Sequence, residues 1–115
     1  MKFYQYKNCD SCRKARKYLD AKSIEFESID ITIEPPSVDE LTVMLDHQNG
    51  ELRKLFNTSG LQYRELNMKD RLPQMSIDEV LALLAGNGKL IKRPFLLSDG
   101  LGLIGFREAD WDKAI

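Results

Sequence analysis

Within the first 32 residues the apolar periodicity changes twice, and nothing else in the chain limits its fold so strongly. Residues 2 to 6 alternate Phe3 and Gln5 against Tyr4 and Tyr6, an aromatic-rich period of two that closes at Lys7-Asn8. From Asp10 to about Lys22, Cys12, Ala15 and Leu19 recur at three- and four-residue spacing with Arg13, Lys14, Arg16 and Lys17 between them, the pattern of an amphipathic helix. Ile24, Phe26 and Ser28 then alternate with Glu25, Glu27 and Ile29, until Pro35 and Pro36 forbid further regular pairing. Strand, helix and strand in that order define a right-handed βαβ unit with parallel strands, whose first turn opens at the carboxyl edge of the sheet.

The remainder of the chain supplies helices and one hairpin. Ser37 to Glu40 has the form of a capping box and precedes a stripe of Val38, Leu41 and Leu45, predicting a helix to about His47. A shorter segment follows Gly50 with Leu52, Leu55 and Phe56 as its apolar face, and Leu61 to Leu66 adds a further turn. A second capping box, Ser76 to Glu79, starts a helix carrying Ile77, Val80, Leu81 and Leu84, which Gly86-Asn87-Gly88 stops. Phe95 to Leu97 and Leu101 to Ile104 flank Ser98-Asp99-Gly100, an antiparallel hairpin, and a short helix is expected near Glu108 to Ala114. The fold class is therefore α/β, a mixed sheet in the order βαβ, helical stretch, ββα.

With 115 residues the chain has material for one core, so a single domain over 1–115 is expected. Lys and Arg number 17 against 18 Asp and Glu, a net charge of −1 that gives no global field for direct nucleic-acid binding. The longest apolar run, Val80 to Ala85, is six residues, whereas about twenty are needed to cross a bilayer. No membrane span is expected, and because the N-terminus lacks the apolar stretch of a signal peptide, a cytoplasmic protein is expected; it is also expected to be a monomer. In a reducing compartment Cys9 and Cys12 read as reactive thiols or metal ligands rather than a structural staple.

Cys9-Asp10-Ser11-Cys12 puts two sulfurs three residues apart across the first turn of a helix, where side chains share a face. Unpaired N–H groups and the partial positive charge at the helix start favour a thiolate at Cys9, the expected nucleophile, while Cys12 one turn deeper would resolve a mixed disulfide formed there. Asp10 opposes ionisation and the basic set of Lys7, Arg13, Lys14, Arg16 and Lys17 favours it. Residues 1–22 carry a local balance of +5 against −6 for the rest, which would draw an anionic substrate or merely solvate a helix face. Zinc would need four ligands; beyond the two cysteines only the distant His47 is a histidine, and it reads as a surface or capping residue. Two buried, inert cysteines are the plain structural alternative. Arg93 before Pro94 could supply a bidentate fork for an oxyanion, or could be half of a solvated Lys92-Arg93 pair.

Taken together, Cys9 to Arg16 after the first strand, Phe56-Asn57-Thr58-Ser59-Gly60, Arg93-Pro94 before the hairpin and Gly105-Phe106 after it resemble the ArsC/Spx family over essentially the whole chain. That family joins glutaredoxin-coupled arsenate reductases to the Spx transcription regulators. The resemblance implies a thioredoxin-like sheet with a helical insertion at about 35–75 and a cis peptide at Arg93-Pro94 facing the cysteines. It implies Cys9 as nucleophile, Arg93 as the arginine of the R-P motif, and Cys12 as the second thiol of an Spx-like disulfide switch. Further oxyanion-binding arginines of the reductases correspond approximately to Asn57 and Phe106 here, with Arg107 adjacent.

The expected function is an arsenate reductase-like thiol oxidoreductase, with Cys9, Cys12 and Arg93 as catalytic residues. Lys7, Asn8, Asp10, Ser11, Arg13 and Pro94 are the expected substrate-binding residues, with no bound cofactor and no metal. Glutathione is the expected co-substrate, with glutaredoxin or a protein disulfide as partner. The alternative is a redox-switched regulator that binds RNA polymerase without turnover.

Overall fold

The computed structural model describes residues 1–115. Strand β1 (Lys2–Gln5) leads through the Lys7-Asn8 turn into α1 (Asp10–Ala21), and β2 (Glu27–Asp30) returns parallel to β1 with Phe3 opposite Ser28. The chain then turns helical: α2 (Val38–His47), a 3-10 turn at Leu52–Leu55, α3 (Leu61–Glu65), α4 (Met68–Arg71) and α5 (Ile77–Ala85). It re-enters the sheet as the hairpin β3 (Phe95–Ser98) and β4 (Leu101–Ile104) and ends in α6 (Glu108–Ala114). The strand order is β2-β1-β3-β4, with β3 antiparallel to both β1 and β4.

Alternation along β1 divides the core between the two faces of the sheet. Phe3 packs with Ala15, Tyr18 and Leu19 of α1, Leu96 of β3 and Trp111 of α6. Tyr4 faces the opposite way, into the larger cluster built by α2, α5 and Phe95. Its hydroxyl donates to Glu40 Oε1 at 2.8 Å, and the same carboxylate accepts the Ser37 N–H at 3.1 Å, closing the capping box of α2. Burial acts against ionisation of Glu40, yet the Ser37 N–H, the Tyr4 hydroxyl and Lys2 together hold its carboxyl below the ordinary range.

Several sequence expectations are corrected. The second strand starts at Glu27 rather than Ile24 because β1 starts at Lys2, its register partner; Ile24 and Phe26 pack on the Phe3 cluster from outside the strand. Val38 and Ile77, each the first residue of a capped helix, are exposed, so the buried stripes begin one turn later, with Met44 joining Leu41 and Leu45. Helix α4 was not foreseen, since Met68 is its one buried residue and leaves no periodicity to read.

Candidate functional site

Where β1 ends, the chain reverses and α1 begins, and Cys9 occupies the N-cap. Its Sγ accepts the Cys12 N–H at 3.3 Å, the role that the Ser37 and Ser76 hydroxyls perform for α2 and α5 at 3.1 and 3.2 Å. Cys9 is partly exposed, whereas Cys12 is wholly buried, and neither is in a disulfide. The backbone N–H groups of Asp10 and Ser11, the first two of α1, have no backbone acceptor.

Burial pushes the Cys12 thiol up to about 12, reinforced by its hydrogen bond with Cys9, while the Tyr6 backbone and the positive charge of Arg93 pull the other way. The two cysteines are thus joined through the Cys12 N–H and differ in access: Cys9 meets solvent, and Cys12 is buried as a neutral thiol.

Arg93 comes to this place through the segment before it. Asn57 N–H donates to the Leu90 carbonyl at 2.7 Å and Lys92 N–H to the Leu55 carbonyl at 2.8 Å, so residues 55–57 clamp the approach to Arg93. The Arg93-Pro94 peptide is cis, and the guanidinium lies 5.0 Å from the centroid of the Tyr6 ring. Pro94 is buried, and its carbonyl accepts the Gly105 N–H at 2.8 Å, fastening the start of β3 to the end of β4.

The remaining expected substrate-binding residues separate into two groups. Lys7 and Asn8 lie exposed in the turn before Cys9. Arg13 pairs with Asp10 and donates to the Lys7 carbonyl at 3.3 Å, so these two charges offset one another on the surface. Ser11 instead opens on a cavity of about 760 Å³ shared with Lys54, Lys92, Arg93, Arg107 and Asp110. Sequence reasoning missed the contributions of Tyr6, Lys54 and Lys92 because these come from separated segments with no local motif. His47 is exposed at the end of α2, its ring against the backbone of Gly102, and no group of three or more His, Cys, Asp or Glu side chains is placed to hold a metal ion.

A sheet with the order β2-β1-β3-β4, a C-x-x-C at the first helix start and a cis-proline opening the third strand define a thioredoxin-like thiol domain. The sequence profile of the ArsC family matches residues 4–114, and the chain belongs to that family. It is 44% identical to the uncharacterized protein YusI of Bacillus subtilis over 96% of this chain and 94% of the relative. It is also 30% identical to the global transcriptional regulator Spx of Enterococcus faecalis, over 91% of this chain and 78% of that one. Among solved structures, a possible arsenate reductase from Streptococcus mutans superposes with a TM-score of 0.88 at 43% identity, covering 96% of each chain. No helix is long and apolar enough to cross a membrane.

Proposed function

We propose that the protein is an arsenate reductase-like thiol oxidoreductase in which Cys9 is the nucleophile and Cys12 the resolving thiol. The observation that carries the reading is the pairing of a partly exposed N-cap sulfur with a buried thiol one turn deeper, in a residue whose backbone N–H that sulfur accepts. The Cys9 thiolate attacks one sulfur of a partner disulfide; the S–S bond breaks, a mixed disulfide forms at Cys9, and the first partner thiolate leaves and takes a proton from water. Cys12 then loses its proton and attacks the Cys9 sulfur, forming the Cys9–Cys12 disulfide and releasing the second partner thiolate. The substrate gains two electrons and the cysteine pair loses two. Two glutathione molecules, or a glutaredoxin dithiol, return the pair to its reduced state.

For an oxyanion or anionic adduct, Arg93 and the free N–H groups of Asp10 and Ser11 supply the positive field. A single-turnover assay with a glutathionylated peptide, and separately with arsenate, tests the scheme. Cys9→Ser abolishes turnover if the reading is right; an unchanged rate overturns it.

Similarity to Spx over most of the chain favours a second reading, in which the Cys9/Cys12 redox state controls docking to RNA polymerase. Retention of polymerase by only one of the oxidised and reduced forms, with no reductase activity, would select it.

A further inference from the structure

The cavity beside Ser11 is far larger than a tetrahedral oxyanion needs. Its volume of about 760 Å³ has room for roughly 25 waters at ~30 Å³ each. Lys54, Lys92, Arg93 and Arg107 line it against a single carboxylate, Asp110. Lys54 is paired with Glu51 at 2.9 Å, whereas Lys92, Arg93 and Arg107 have no carboxylate partner within the protein. The chain as a whole is nearly neutral, so this unneutralised charge is local to one wall.

Two features make the wall suitable for an extended chain. Gly102 to Ile104 of β4 line the cavity, and β4 is the outer strand of the sheet, with no strand beyond it. At Gly105, in the left-handed region with φ +68°, an added Cβ would meet the Lys92 Cε at 2.8 Å, so the glycine lets the lysine stem lie flat along the cavity.

We propose that this cavity docks an extended acidic peptide, and that Lys92 and Arg107 select disulfides flanked by Asp or Glu and present them to Cys9. The selection of a reacting disulfide rests on the thiol–disulfide reading above; the docking of the peptide does not. Occupation by a short anionic segment neutralises the three unpaired cations, and two lining residues tie the cavity to the thiol pair: Ser11, two residues after Cys9, and Arg93, whose charge is felt at Cys12.

The test uses two dye-labelled peptides built around S-methylcysteine, one flanked by Glu and Asp and one by Lys, titrated by anisotropy. Because the methylated sulfur cannot exchange, the result is independent of whether Cys9 reacts. The acidic peptide binds and the basic one does not; Lys92→Glu with Arg107→Glu weakens the acidic peptide by about tenfold or more, and Cys9→Ser leaves binding unchanged. The charge-neutral pair Lys92→Gln with Arg107→Gln gives a smaller loss in the same direction, and wild-type far-UV circular dichroism and urea midpoints in both variants show that the fold is intact. Equal binding of the two peptides, or acidic binding indifferent to both pairs of substitutions, overturns the proposal.

Discussion

The Sγ of Cys9 accepts the backbone N–H of Cys12 at 3.3 Å, so one atom caps α1 and is also the nucleophile of the proposed chemistry. Ser37 and Ser76 do the same capping with oxygen. Replacing Cys9 by Ser therefore keeps the cap and changes stability by no more than about 0.5 kcal/mol, while Cys9→Ala removes the acceptor and costs about 1 kcal/mol. Urea unfolding under reducing conditions measures both; equal losses in the two variants would show that the sulfur does not cap the helix.

Access and acidity together separate the two thiols. Cys12 is fully buried and its thiol stands at about 12, so iodoacetamide at neutral pH modifies Cys9 alone in the folded protein. The same shift ties stability to pH. The unfolded chain releases the Cys12 proton near the ordinary 9.0 and the folded chain only near 12, so its stabilising effect is complete below pH 9 and lost as pH climbs through that interval. Cys12→Ala flattens the decline by up to one proton, about 1.4 kcal/mol per pH unit. Mass spectrometry after alkylation and urea melts across pH test the two parts.

The placing of Cys9 and Cys12 at the start of α1 and most of the order of elements were legible because both are local. A period of two changing to 3.6 names a strand and helix, and the two Ser-x-x-Glu boxes mark the starts of α2 and α5. The cavity was not legible. Ser11, Lys54, Lys92 and Arg107 come from α1, the 3-10 turn, the approach to β3 and the entry to α6, and only the folded chain brings them together. Likewise the Tyr6 ring under Arg93 depends on β1 lying beside β3, a pairing of residues some 90 positions apart that no window of sequence contains.

Gly88 joins the end of α5 to the end of β2. A Cβ there would sit 1.7 Å from the Ile31 carbonyl oxygen, and the obstacle is backbone rather than a movable side chain. Gly88→Ala therefore forces the Asn87–Leu90 turn away from the sheet and costs about 3 kcal/mol. A loss under about 1 kcal/mol in denaturant unfolding would show that the two segments separate easily.

In the proposed chemistry Arg93 bears on the second thiol, Cys12, as well as on an incoming anion. Its charge is among the influences that lower Cys12 against the larger effect of burial, so removing it leaves the proposed resolving thiol still harder to ionise. Resolution requires the Cys12 thiolate, and its rate follows the fraction ionised. Arg93→Met keeps the aliphatic reach of the side chain against Tyr6 while deleting the charge. With a neutral model disulfide, attack by Cys9 draws little on Arg93, whereas release of the second thiol slows by about three- to tenfold and the mixed disulfide at Cys9 accumulates. Acid quenching followed by mass spectrometry resolves the two steps. If the substitution slows only the first step, Arg93 serves the incoming substrate alone and exerts no control over Cys12.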